Sequence, residues 1–478
     1  RLEITTVLDS IRMLRDELGD EVAIFGKAYG PWSLAYHFFG IEQFMMDTFS
    51  DPPKVHAILD RLKEFTVVFG KAQIDAGADA LNVCEHITAD LIRPEAYSTY
   101  LMHVDQQIKE ELPVPIILHC CGKTMDRIHL FNQSGFECFN FESANDAVEM
   151  REKATVSLCG NINNPSTILS GTPEDVEREV FYALDAGVNL LAPECAAPVN
   201  GKLANVTAVR EARDRYYDGT RIGEKETISL GALGTQPVPV KSRSGGESDA
   251  KDALTPELRE IYESVVEMKK GETAPLVEAE VERGIEAQVI LDLALIAAME
   301  EVGNLFADGT YFVPEMLMAA MEMKAGLEVI RPILTASGVP PRGTVVIGTV
   351  RGDVHDIGKN LYGMMMEGAG YNVVDIGVRQ TADEFIEALE EHGADILGMS
   401  AMLTTTMPYK KIVVDEMIHR GIRNEYSIFV GGAPLNAEYG ASFGADAYCV
   451  DAGVGVETAN SAIDGRAKAH PVPGKQPY

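Results

Sequence analysis

From residue 1 to about 220 the chain alternates short apolar runs with longer amphipathic stretches. The runs are EVAIFG (21–26), ADALNV (78–83), VPIILH (114–119), FECFNF (136–141), VSLCGN (156–161) and NLLAPE (189–194). Between them lie helical patterns such as PPKVHAILDRLKEFTVVFGKAQIDAG (52–77) and TPEDVEREVFYALDAG (172–187). In the second pattern Thr172 suits an N-cap and Gly187 a stop. Strand–helix alternation implies parallel strands with helical crossovers. Six such units are legible, and an eight-stranded barrel takes two more. The sequence opens without Met, so the first two units are expected to be absent from it. Residues 1–222 are therefore expected to form a (β/α)8-type barrel with its first units missing.

A different texture follows. GALGTQPVPVKSRSGGESDAKD (231–252) replaces apolar periodicity with Gly, Pro, Ser and charge, so 223–252 reads as a flexible linker. From 253 to 338 the pattern is all helical, with PELREIYESVVEMKKG (256–271), a long stretch from Ala274 to Gly309, and VPEMLMAAMEMKAGLEVIRPIL (313–334). That is a bundle of about four helices. Met316, Met318, Met321 and Met323 are most simply its core filler, the alternative being an apolar face over a ligand. From 339 to 470 strand–helix alternation returns, with TVVIGTV (344–350), NVVDIG (372–377), ADILGMSA (394–401), SIFVGG (427–432) and ADAYCVD (445–451). Five parallel strands in so short a span make an open doubly wound sheet, Rossmann-like, with ligands at the strands' carboxyl ends.

Composition narrows the partners. The 478 residues carry 41 Lys plus Arg against 73 Asp plus Glu, a net charge of −32. That balance argues against nucleic acid or an anionic membrane. No apolar run approaches the ~20 residues of a membrane span, and RLEITTVLDS lacks a signal peptide's apolar segment. The seven cysteines, Cys84, Cys120, Cys121, Cys138, Cys159, Cys195 and Cys449, are odd in number and dispersed. They fit reduced thiols in a cytoplasm better than a disulfide framework.

Two places carry candidate chemistry. PIILHCCGK (115–123) sets His119, Cys120 and Cys121 at the end of a strand, and LLAPECAAP (190–198) sets Cys195 at the end of another. The carboxyl end of barrel strands is where such folds do chemistry. His with two thiolates is a zinc-type set; buried thiols beside a strand-end His are the plainer alternative. His119 and Cys121, two apart, project to one side of an extended chain, and Cys120 to the other. Glu85 is a candidate fourth ligand, with hydrogen bonding its plainer role, and Glu142 and Glu194 are weaker candidates. Tyr29, Trp32 and Tyr36 are core residues or the lining of a small pocket. The second place is RGDVHDIGKN (351–360), which follows the first strand of the last region. Its turn is acidic and lacks phosphate-loop spacing.

These residues carry resemblances. Asp353-x-His355-x-x-Gly358 resembles the D-x-H-x-x-G signature of cobalamin-binding domains. GMSAMLTTTM (398–407), with Ser400 and Thr404, resembles that family's second motif, and VGGAP (430–434) supplies its glycine pair, Gly431 and Gly432. Met402 stands where Leu is common. The helical block before the sheet resembles the cap of corrinoid methyl carriers. The resemblance implies that His355 coordinates cobalt from below, displacing the cofactor's own base. It implies that Asp353 holds the imidazole's other nitrogen, and that Ser400, Thr404, Gly431 and Gly432 border the nucleotide tail. The methionine-bearing helices would cover the cofactor's methyl face.

Residues 1–220 resemble uroporphyrinogen decarboxylase-like methyltransferases, whose zinc motif H-x-C-G followed by a distant Cys is met by His119, Cys121, Gly122 and Cys195. Lys123 stands where Asn or Asp is more usual. GKAYGPWSLAYHFFG (26–40), GADALNVCEHITADLIRPEAY (77–97) and LCGNINNPSTILSGTPEDV (158–176) also resemble that family. The order, barrel first and corrinoid domain last, resembles the chloromethane:corrinoid methyltransferases. It implies a cytoplasmic, zinc- and corrinoid-dependent methyltransferase with His119, Cys121, Cys195 and His355 as its catalytic residues. The donor would be a small methyl compound, first a methyl halide. A second methyltransferase would carry the methyl onward, to tetrahydrofolate, and a reductive activator would restore oxidised cofactor. O- or S-demethylation and methylation of coenzyme M are the alternatives within the class. A corrinoid carrier or sensor without catalysis is the alternative outside it.

Overall fold

The computed structural model describes residues 2–89, 91–195, 197, 201–219, 254–337, 341–353, 355–402, 406–432, 435, 437–450 and 452–469. The expected linker, 223–252, and Thr404 lie outside the described residues. The chain divides into two compact units, Arg1–Gln236 and Pro237–Tyr478.

The first unit is built on six parallel strands in consecutive order, β1 (Phe25–Tyr29), β2 (Ala80–Glu85), β3 (Ile116–Cys120), β4 (Cys138–Phe141), β5 (Ser157–Ile162) and β6 (Leu190–Pro193). Among the described residues β1 and β6 do not pair, so the sheet is an open half-barrel. β2, β3 and β4 are buried almost throughout, which is why they read as continuous apolar runs. The first strand departs from its run. It lies at 25–29 rather than 21–26, because it is an edge strand with alternating exposure and Val22 is 50% exposed.

Local signals fix the helices. Thr172 and Asp175 form a reciprocal capping box at the start of helix Pro173–Asp185, and Gly187 follows its end at φ +89°. Asp51 caps helix Pro52–Asp75 by accepting from the Lys54 amide at 3.2 Å. Trp32, fully buried, meets Phe44 edge-on at 4.9 Å and Tyr100 at 6.2 Å, so it is a core residue.

The second unit opens with the helices Pro256–Val266, Thr273–Glu282, Ala287–Ile290 leading through Leu291–Ile296 into Ala297–Ala307, and Val313–Ser337. Their shared core holds Val265, Ile290, Leu295, Met316 and Met323. Met316 and Met323 are thus the filler expected of them, whereas Met321 is 55% exposed. The same core takes in Leu361, Met365 and Ala452 from the α/β layer. That layer is a five-stranded parallel sheet of β7 (Thr344–Thr349), β8 (Asn372–Asp375), β9 (Ile396–Ser400), β10 (Ser427–Gly431) and β11 (Ala447–Tyr448). Its spatial order is β11-β10-β9-β7-β8. The order reverses between β7 and β9, and such a switch point is where open α/β sheets hold ligands.

Candidate functional sites

In the first unit three strand ends converge. One ligand atom each from His119, Cys121, Glu142 and Cys195 lies within 4.8 Å of all the others. His119 Nε2 is 3.2 Å from Cys121 Sγ, and Cys121 Sγ is 3.8 Å from Cys195 Sγ. Two thiolates bound tetrahedrally at ~2.3 Å from zinc stand ~3.8 Å apart, and a thiolate and an imidazole ~3.6 Å apart. The residues present therefore fit such an ion. His119 is buried and its Nδ1 has no hydrogen-bond partner among the described residues.

The register of the strands makes the cluster. Ile117 pairs with Cys138 and His119 with Asn140, which carries Cys121 alongside Glu142 one step past each strand. Gly122 turns the chain at φ +72°, and its amide donates to Glu142 Oε2 at 2.8 Å. Asn145 then pins the loop, accepting from the amides of Thr124 and Met125 and donating to the Gly122 carbonyl. Cys120 is fully buried and outside the cluster.

Electrostatics follow from crowding. Burial pushes the Glu142 carboxyl up to about 8, helped by Glu194 and Cys195. The neighbouring Cys195 thiol, and then burial, push Cys121 well above its ordinary value. For His119 burial opposes charge, but Cys195 outweighs it and the net direction is upward. Glu194 is buried and engaged elsewhere, accepting from the amides of Ser143 and Asn164 at 2.9 Å each.

Glu85 is not in the cluster. Its oxygens accept from the amides of Trp32 (3.3 Å) and Ser33 (2.9 Å), at the start of helix Pro31–Phe39. A Cβ on Gly30 would lie 2.0 Å from Glu85 Oε1, so the glycine makes room for this carboxyl. Glu85→Ala is expected to lower stability to denaturant by about 2 kcal/mol, the cost of orphaning buried helix-start amides. The metal content of the purified protein should not change. Tyr36 reaches His86, Oη to Nδ1 3.2 Å, and Tyr29 is 53% exposed.

In the second unit the loop after β7 folds onto a buried carboxylate. Asp353 accepts from the His355 amide (3.0 Å) and the His355 ring Nδ1 (2.6 Å) on one oxygen. Its other oxygen accepts from the Met402 amide (2.8 Å) and the Thr406 hydroxyl (2.5 Å). A carboxylate only accepts, so the ring proton sits on Nδ1. Burial works against the charge, yet the donors from His355, Thr406 and Met402 prevail and hold the carboxyl well below the usual range. The register places Thr349, Ser400 and Gly431 side by side at the carboxyl edge.

The glycines differ in purpose. A Cβ on Gly358 would meet nothing within 4 Å, leaving that helix face open for a ligand. Gly432 is fixed by the protein itself: at φ +125°, its Cβ would fall 1.8 Å from the Ala401 carbonyl oxygen. Two residues here were not singled out from sequence. Thr406 supports Asp353. Lys410, fully buried, donates to the Gly431 carbonyl at 2.5 Å, and burial drives its pKa down.

Comparison with known proteins fits both halves. The family model described as uroporphyrinogen decarboxylase (URO-D) matches residues 1–216, and two B12 binding domain models match 257–331 and 343–462. A corrinoid protein of Desulfitobacterium hafniense is 34% identical over 209 residues, covering 43% of this chain and 97% of that protein. Dimethylamine corrinoid protein 1 of Methanosarcina acetivorans is 36% identical over 208 residues, 43% of this chain and 97% of that one. The crystal structure of the methanol:cobalamin methyltransferase complex from Methanosarcina barkeri shares 28% identity, covering 51% of this chain and 95% of that chain, with a TM-score of 0.41. The matches define a fusion of a URO-D-like unit with B12-binding domains. Through its carboxyl-terminal half the chain belongs to the corrinoid proteins, and its cofactor is a corrinoid.

Proposed function

We propose that this chain transfers a methyl group from a small donor to its bound corrinoid, assisted by zinc on His119, Cys121 and Cys195. One observation carries the reading: an imidazole and two thiols converge at strand ends of the URO-D-like unit, on a chain whose other unit binds a corrinoid. Thiolates with imidazole select a borderline-soft ion, and three protein ligands leave a position for substrate. A corrinoid supplies a nucleophilic cobalt for the methyl carbon, and zinc a Lewis acid for the atom that bears it.

The chain's own residues do the positioning. His355, its Nδ1 given to Asp353, would hold cobalt through Nε2. Asp353 fixes the ring's tautomer and orientation, as such outer partners do. Ser400, Thr404, Gly431 and Gly432 would border the nucleotide tail, and Gly358 would leave the helix face clear for it. No helix among the described residues is long and apolar enough to cross a membrane. The reaction calls for a reductive activator and for a second methyltransferase that takes the methyl onward, to tetrahydrofolate.

The leading donor is a methyl halide such as chloromethane, whose leaving group departs without a proton. A second reading has a specific observation behind it. Glu142 brings a carboxyl to the cluster, within 4.8 Å of the ligand atoms of His119, Cys121 and Cys195, and burial raises its pKa. An acid there suits a departing alkoxide or thiolate, hence O- or S-demethylation, or coenzyme M chemistry. Reduced holoprotein should lose its cobalt(I) absorbance on addition of chloromethane but not of methanol or a methoxyarene. The opposite order supports the second reading. No response to any donor, with cobalt present and zinc absent, leaves a carrier or sensor.

A further inference from the structure

We propose that the Tyr36 phenol, held by His86, donates a hydrogen bond to the leaving heteroatom of the methyl donor. It thereby selects donors whose heteroatom keeps a lone pair once bound to metal. The inference rests on the zinc reading above. Methyl halides, alcohols, ethers and thioethers are of this class. Methylated amines are not, because nitrogen spends its one lone pair on the metal.

Strand register sets the place. Glu85 pairs with Cys120 and His119 with Asn140, so His86, Cys121 and Glu142 stand in one row, each one step past its strand. His86 is two residues from Cys84, which pairs with His119, so it projects to the side that carries His119 and Cys121. The loops keep this alignment beyond the strands. The Ala89 amide and the Thr88 hydroxyl both donate to the Lys123 carbonyl, at 2.9 Å each. His86 is outside the group of convergent ligand atoms. It therefore flanks the metal site, on the side of Cys121 away from Glu142.

Tyr36 reaches the same place from helix Pro31–Phe39, whose first amides are tied to Glu85 at the end of β2. Its Oη is 3.2 Å from His86 Nδ1, and the two rings meet edge-on at 5.9 Å. Both side chains are half-buried. A phenol keeps its proton at neutral pH, and burial, with Cys121 nearby, pushes this one higher still. With the imidazole donating from Nδ1 to Oη, the phenol's own proton is directed to a third group. As the methyl carbon moves to reduced cobalt, which supplies the new bond's electron pair, the old pair stays on the heteroatom. The phenol's hydrogen bond stabilises that charge, and the proton remains on Tyr36.

The test needs no methyl transfer. The full chain, freed of corrinoid, is loaded with cobalt(II) in place of zinc, and its visible bands report an added ligand. Chloride bound to the metal retains lone pairs for Tyr36; bound trimethylamine has none and carries no N–H. Tyr36→Phe should weaken chloride binding about fivefold, the worth of one hydrogen bond, and leave trimethylamine binding unchanged. His86→Ala should do the same. The double variant should be no weaker than either single one, since the same hydrogen bond is lost in all three. Equal weakening of chloride and trimethylamine, no change in either, or additive losses in the double variant would overturn the proposal. A chain that takes up no metal at His119, Cys121 and Cys195 would remove the zinc reading itself, and this proposal with it.

Discussion

Replacing Cys195 with serine should remove zinc from the URO-D-like unit and abolish methyl transfer, while the corrinoid remains fully bound. A serine hydroxyl does not ionise at neutral pH, and its shorter bond withdraws the donor atom. Cys121 is left opposite an empty corner, 3.8 Å away in the intact protein. Losing a partner of a metal ligand already costs about 10–100-fold in affinity or activity, and losing the ligand itself should cost more. Elemental analysis should show zinc falling from about one per chain to a trace, with cobalt unchanged. His119→Ala should behave alike. Full zinc and full transfer in both variants would mean the metal is held elsewhere. Unchanged melting of the variants would separate loss of the ion from loss of the fold.

This cluster was only partly legible in the sequence. His119, Cys121 and Cys195 are visible through the resemblance of His119-x-Cys121-Gly122 and a distant Cys195 to a zinc motif, since buried thiols beside a strand-end His would otherwise explain them. Glu142 was ranked below Glu85, although each follows an apolar run and spacing alone cannot order them. Two facts of the fold decide it. The register of β3 with β4 carries Glu142 alongside Cys121, and helix Pro31–Phe39 turns its first amides onto Glu85. Neither has a local signature.

The second unit shows the same limit. Asp353 and His355 are two residues apart and pair locally, so their motif states their contact. Thr406 reaches Asp353 across 53 residues, and one threonine of Thr404, Thr405 and Thr406 cannot be told from the next without the loop's path. Lys410 sits in an amphipathic pattern that suggests solvent, yet it is fully buried against a carbonyl. The strand runs were legible wherever a strand is covered on both faces. The edge strand β1 slipped because its apolar run precedes the residues that pair.

Asp353→Ala should be the most damaging single change in the second unit. The carboxylate is fully buried and accepts four hydrogen bonds, from His355 twice, Met402 and Thr406. Alanine leaves those donors unpaired, each at about 1–3 kcal/mol where it stays buried. A loss of about 3 kcal/mol or more in a denaturant melt of the apoprotein is expected. The freed imidazole should also weaken corrinoid binding about 10–100-fold. Asp353→Asn separates the causes, because it keeps the volume and one acceptor but removes the charge. It should melt closer to the unaltered chain while its bound corrinoid shows an altered absorbance spectrum. Acid provides an independent check. The Asp353 pKa is depressed on folding, so its stabilisation is complete above the ordinary aspartate value near ~3.9. It fades as pH falls through the depressed value. The asparagine variant should lack that part of the acid limb. If both variants matched the unaltered chain in melt, spectrum and acid limb, Asp353 could not be what holds His355 in place.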